Sequence, residues 1–162
     1  MALLKGIGKQ FQIGIAKETT RGTAKTSASY WLPVDDWELE ERFDNAVDSQ
    51  TYGVIEDNVG MTRVKNWVEG NLKMPVTGTS AAVLLYALLG TTTSVLRSGQ
   101  NKIYDNTINI GQSVQHQSLT LFVHDPIATA NGATADYTHA NAIVHRMEID
   151  YSLGNFVMLE NV

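Results

Sequence analysis

The residue types that could carry chemistry are four histidines, a run of carboxylates, one short glycine-lysine segment and three tryptophans. His116, His124, His139 and His145 form neither a His-Glu-x-x-His arrangement nor a pair three residues apart, the spacings that hold a metal from one helix. His116 and His124 flank or sit in one candidate strand, and His145 shares the apolar parity of another. Those are ordinary places for surface and core histidines. Gly6-Ile7-Gly8-Lys9 is glycine-rich, yet it lacks the preceding strand, the long glycine spacing and the Ser/Thr after lysine that a phosphate loop needs. Asp35, Asp36, Glu38, Glu40 and Glu41 could supply paired carboxylates for glycoside hydrolysis. Carboxylates alternating along a strand read more simply as a solvated face. Trp31, Trp37 and Trp67 could build a sugar platform, but Trp37 shares parity with Leu39 and Phe43 and is assigned to the core. Trp67 lies on the charged face of its strand, which points to a subunit contact or partial exposure. No catalytic, cofactor or metal site is expected.

The elements that would have to position such groups are mostly strands. The exception is Thr77–Gly90, the one strong helix signal, with a helix expected over about 80–89. Ser80 or Thr79 can cap its first turn, and Gly90 suits a left-handed stop. Ala81, Leu84, Leu85 and Leu88 form one stripe at helical spacing. Val83, Tyr86 and Ala87 form an opposite apolar side, so the helix is expected to bury more than one face, the outer one against another subunit.

Alternation marks the strands. Phe11, Ile13 and Ile15 define a half-buried strand opposite Gln10, Gln12 and Gly14. Tyr30–Leu32 is a short aromatic strand stopped by Pro33. Trp37, Leu39 and Phe43 oppose Glu38, Glu40 and Arg42. Thr62–Val76 is the longest candidate, with Val64, Val68, Leu72, Met74 and Val76 on one face and Gly70 marking a bulge or bend. Thr91–Asn101 reads as polar loop, with weak strand fragments at Ile103-Tyr104 and Ile108–Ile110. Ser118–His124 and Ala142–Leu153 alternate again, the latter with Ile149, Tyr151 and Leu153 facing in. Gly154-Asn155 fits a two-residue hairpin turn into Phe156–Val162. The sequence stops inside that apolar strand, which predicts either further strands or closure by a neighbour.

Between the strands lie two irregular segments of interest. Met1–Lys9 is a flexible basic arm. Asp44–Gly60 is a long loop that nonetheless carries Val47, Tyr52, Val54, Ile55 and Val59. A loop of that length usually has a task or is disordered. Its apolar residues call for cover, either by folding back onto the domain's own sheets or by ordering against a partner.

A chain of 162 residues favours one domain and buries roughly 70% of its unfolded surface without a staple. Cysteine is absent, so disulfides and thiolate metal sites are excluded. Seventeen acidic against twelve basic residues give a formal charge of −5, which disfavours tight electrostatic binding to nucleic acid. The longest apolar run, Ala81–Leu89, has nine residues, against about 20 for a membrane span. The N-terminus lacks a signal-peptide core, and the sequence predicts a soluble protein.

Several stretches together carry a family resemblance. They are Ile13-Gly14-Ile15-Ala16-Lys17-Glu18-Thr19-Thr20-Arg21-Gly22-Thr23-Ala24, then Glu69-Gly70-Asn71-Leu72 before a helix ending Ala87-Leu88-Leu89-Gly90. Ser118-Leu119-Thr120-Leu121 and Tyr137-Thr138-His139-Ala140-Asn141-Ala142-Ile143-Val144 follow. In order and approximate spacing this resembles the tail tube (major tail) proteins of long-tailed bacteriophages over most of the chain. The first stretch is the most specific.

The resemblance implies a mainly β, sandwich-like or barrel-like domain with one flanking helix. It implies a structural virion protein without enzymatic activity or cofactor, made in the bacterial cytoplasm. Such subunits form hexameric rings that stack into a tube through which DNA leaves the virion. Partners are then copies of the chain and other tail proteins, while DNA passes without sequence-specific binding and no membrane is involved. Members are often longer, with strands beyond the point where this sequence ends. On this footing Val47, Tyr52, Val54, Ile55 and Val59 are expected to stack rings, and Val83, Tyr86 and Ala87 to face a neighbouring subunit. Glu38, Glu40 and Glu69 are expected to line the lumen. The rival expectation is a secreted carbohydrate-binding β-sandwich.

Overall fold

The computed structural model describes residues 11–48, 60–112, 115–125, 136–155, 157–160 and 162, the side chains of Asp48, Thr79 and Asp136 excepted. The described residues are mainly β, with one helix and several antiparallel sheets. The chain divides into a larger unit, residues 1–36 and 72–162, and a smaller one, Trp37–Asn71.

In the larger unit, β1 (Gln12–Lys17) lies between β2 (Tyr30–Leu32) and β7 (Leu119–His124), and β8 (Asp136–Ala142) completes the sheet. All pairs are antiparallel, with Ile15 opposite Tyr30 on one side and Leu121 on the other. Contrary to the half-buried expectation, β1 is buried on both faces: Gly14 and Ala16 are covered as well as Ile13 and Ile15. Gly14 makes this possible. A Cβ there would stand 2.6 Å from the Ala28 Cβ and 3.0 Å from the Trp31 ring.

A second sheet of this unit pairs the end of β4 (Gly60–Pro75) with β10 (Met158–Glu160), and β10 with β9 (Glu148–Asp150). Met74 lies opposite Leu159. The expected hairpin into the final strand exists, but its connection is longer than two residues; Gly154 has φ 89° and the Asn155 N–H donates to the Ser152 carbonyl at 3.2 Å. Alternation over 142–153 does not mean burial of the face expected to point inward: Ile143, Ile149, Tyr151 and Leu153 are exposed and only Met147 of that face packs on the core, as do Ala142 and Val144 of the other parity. β5 (Gly90–Leu96) and β6 (Tyr104–Ile110) form a regular antiparallel hairpin; β5 stands where polar loop is expected, while β6 joins the two expected strand fragments into one strand. Threonine is polar yet β-branched, and here the strand preference of Thr91-Thr92-Thr93 prevails.

The helix α1 (Gly78–Leu89) closes the core. Its cap is Thr77, not Ser80 or Thr79: the Thr77 hydroxyl oxygen accepts the Ser80 N–H at 3.3 Å. Gly90 ends it at φ 99°, as expected of a left-handed stop. The buried stripe is Ser80, Leu84 and Ala87, spaced i, i+4, i+7. Ala87 is 0% exposed and belongs to the core with Ile13, Met74 and Leu159. Placing it on a subunit-facing side was therefore wrong; its missing bulk is what lets the helix approach the sheets.

In the smaller unit, β3 (Asp36–Asp48) pairs with β4 to make a two-stranded ribbon. Strand continues to Asp48 and resumes at Gly60, so 44–48 and Gly60 are not loop as expected. The intervening 49–59 lie outside the described residues. Gly70 marks a close approach: a Cβ there would fall 1.8 Å from the Glu38 carbonyl oxygen. No side chain with more than hydrogen can occupy that point without parting the strands.

Candidate assembly surface

The ribbon is the most unusual surface of the chain. Among its described residues none is buried. Val64 is 63% and Met61 67% exposed, and Trp37, Phe43, Val47 and Val68 are exposed too. Trp37 and Phe43, expected in the core, are thus on the surface. The same holds for Val64 and Val68, while Leu72 and Met74 of the same strand are buried in the larger unit. Alternation defines an apolar face without saying what covers it. A two-stranded ribbon is at best marginally stable alone in water.

Charge on the ribbon is partly paired. Arg42 bridges Glu40 at 2.7 Å and Glu69 at 3.0 Å, and Arg63 meets Glu41 at 3.3 Å. Arg63 also stands over the Phe43 ring and Lys65 over the Trp67 ring, each at 4.4 Å. The Trp67 indole N–H donates to Glu69 at 3.3 Å. Of the three expected lumen residues, Glu40 and Glu69 therefore share one arginine. By sequence the smaller unit holds eight acidic and three basic residues, and the larger holds nine of each. The whole net charge of −5 resides in Trp37–Asn71.

Val47 lies on β3 and is exposed; Tyr52, Val54, Ile55 and Val59 lie outside the described residues, as does the arm 1–9. On the helix, Val83 packs against the core. Tyr86 is half-buried, its hydroxyl donates to Gln117 at 3.3 Å, and the Lys17 ammonium lies 4.8 Å from its ring centroid. Neither forms a bare outer face. Tyr30 and Trp31 are both exposed but, as neighbours on β2, point to opposite sides and make no common platform.

A second polar centre was missed in the sequence. Glu18, just past β1, is 3% exposed. Its carboxylate accepts the N–H of Asn141 and of Gly22, each at 2.8 Å, and the Thr120 hydroxyl at 3.1 Å. Burial pushes this carboxyl up, but bonds from the Asn141 N–H, the Ser118 hydroxyl, the Gly22 N–H and the Thr120 hydroxyl outweigh it and hold it below its ordinary value. Gln117 donates its amide to the Glu18 carbonyl at 2.8 Å. Arg21 reaches Asn141 Oδ1 at 3.0 Å and Gln115 Oε1 at 2.7 Å. The available signal was a lone acid four residues before a turn glycine, which alternation does not detect.

Neither a protein-family model nor a curated protein matches the chain.

Among the described residues no group of three or more His, Asp or Glu could hold a metal ion, and no helix is long and apolar enough to cross a membrane. His124 ends β7, His139 lies within β8, and His116 and His145 are exposed.

Proposed function

We propose that the chain is a structural subunit that assembles with copies of itself through the ribbon, and that the assembly is the phage tail tube its sequence resembles. In that reading rings stack into a conduit for DNA, the protein resides in the virion, and its other partners are tail proteins. The carrying observation is the ribbon with no buried described residue and six large exposed apolar side chains. Burying apolar surface yields about 25 cal/mol per Å², so a surface of this kind favours a partner over water. The mainly β architecture with one helix agrees with what the resemblance implies.

A lumen that repels phosphate needs unpaired carboxylates. With Arg42 shared between Glu40 and Glu69, the three side chains carry one net negative charge where the two carboxylates alone would carry two. We therefore assign the ribbon's acidity to a protein partner first.

Electron microscopy of purified protein at rising concentration tests the proposal. Rings or tubes are expected. A strict monomer retarded in polysaccharide gels would instead favour the carbohydrate-binding alternative.

A further inference from the structure

Three cations surround Glu18 in the larger unit. Lys17 precedes it and lies against Tyr86; Arg21 is held by Asn141 and Gln115; the Lys25 backbone N–H donates to Thr120 at 3.0 Å and its ammonium to the Thr19 hydroxyl at 2.9 Å. Their partners are rings, amides and hydroxyls. Arg42, Arg63, Lys73 and Arg146, in contrast, each pair with a glutamate. No carboxylate pairs with Lys17, Arg21 or Lys25 among the described residues. Glu18 offsets one of these charges, but its oxygens are occupied by N–H and O–H donors. The corner stays cationic.

The ribbon carries the opposite arrangement. Glu38, Glu40, Arg42 and Asp44 alternate onto one face of β3. Arg42 takes up Glu40, whereas Glu38 and Asp44 have no cation among the described residues.

We propose that the Lys17–Arg21–Lys25 corner receives the Glu38–Asp44 face of the ribbon from a second copy of this chain. This rests on the ribbon being an assembly interface, and adds its docking partner. A second copy fits because both complementary surfaces are carried by every chain, which generates a head-to-tail, heterologous contact that can repeat. Complementary charge of this kind sets register and speeds encounter.

The test is a charge swap read by sedimentation velocity across a concentration series. Lys17→Glu with Lys25→Glu forms one variant; Arg21 is kept because it ties Asn141 and Gln115 together. Glu38→Lys with Asp44→Lys forms the other, which leaves the larger unit untouched. Each variant alone should need about tenfold more protein, or greater, to half-assemble. The mixture of the two should co-assemble at lower concentration than either variant alone, which misfolding cannot mimic. Variants that assemble like the parent, or a mixture that gains nothing, overturn the docking proposal and leave self-assembly standing. A parent chain monomeric throughout overturns the assembly proposal and this one with it. Loss of binding to a duplex DNA oligomer by the corner variant, with assembly unchanged, shows that the cations serve phosphates and overturns the docking.

Discussion

Asn141 donates its backbone N–H to the Glu18 carboxylate at 2.8 Å, across 123 positions of sequence. Thr120 adds its hydroxyl to the same oxygen. Three of the stretches that carry the family resemblance, around Glu18, Thr120 and Asn141, thus converge on one buried carboxylate. Asn141 has φ 58°, a left-handed conformation that asparagine tolerates better than most residues. Folding chemistry gives these stretches a common role: two backbone N–H groups and a hydroxyl need one acceptor.

Glu18→Ala should therefore cost about 1–3 kcal/mol, because it orphans the buried Thr120 hydroxyl and two part-buried N–H donors. Because the folded carboxyl sits below its unfolded value, it contributes stability that is present above the unfolded value and lost as pH falls through the folded one. Urea midpoints measured from neutral to acid pH should fall for the parent and fall less for Glu18→Ala. Equal slopes would remove Glu18 from the account of acid stability.

Ala87 sits fully inside the core. Ala87→Leu should overpack it and cost about 1–3 kcal/mol. Leu84→Ala, on the same stripe, should cost about 2–5 kcal/mol through the cavity left. Chemical denaturation measures both. Unchanged stability in Ala87→Leu would return that residue to an outer face.

Gly70→Ala places a Cβ into the Glu38 carbonyl. Hydrogen exchange should show faster exchange in the ribbon amides, with the amides of β1 and β7 unchanged. Assembly should fall in parallel. Protection equal to the parent in the ribbon would show that the strands separate without cost.

Much of this was legible in the sequence. The strand beginning near Gln12, the long strand to Pro75 and the helix stop at Gly90 follow from period and turn chemistry. What failed has physical causes. Thr91–Thr93 looked like loop because threonine is polar, although it is β-branched. Trp37, Phe43, Val64 and Val68 looked like core because alternation records an apolar face and not its cover. Ala87 looked outward because a helix apolar all round offers no contrast by which to choose the inner stripe. The Glu18 centre depends on donors about a hundred residues away, which no local pattern carries.

Phe43→Ser with Val64→Ser removes two exposed apolar residues from the ribbon. Surface changes away from the core usually alter stability by only about 0.5 kcal/mol. The melting curve should hardly move while assembly is lost. A large drop in thermal stability of the unassembled chain would mean that these side chains already serve its own fold.

The most direct measurement of the central claim is the mass of the parent chain in solution as concentration rises, followed by light scattering and then imaged by electron microscopy. Self-assembly through the ribbon predicts mass climbing to closed rings or stacked tubes, and the Phe43→Ser/Val64→Ser variant staying at the mass of one chain. A parent that remains a single chain at every concentration, or a variant that assembles as readily as the parent, would contradict it.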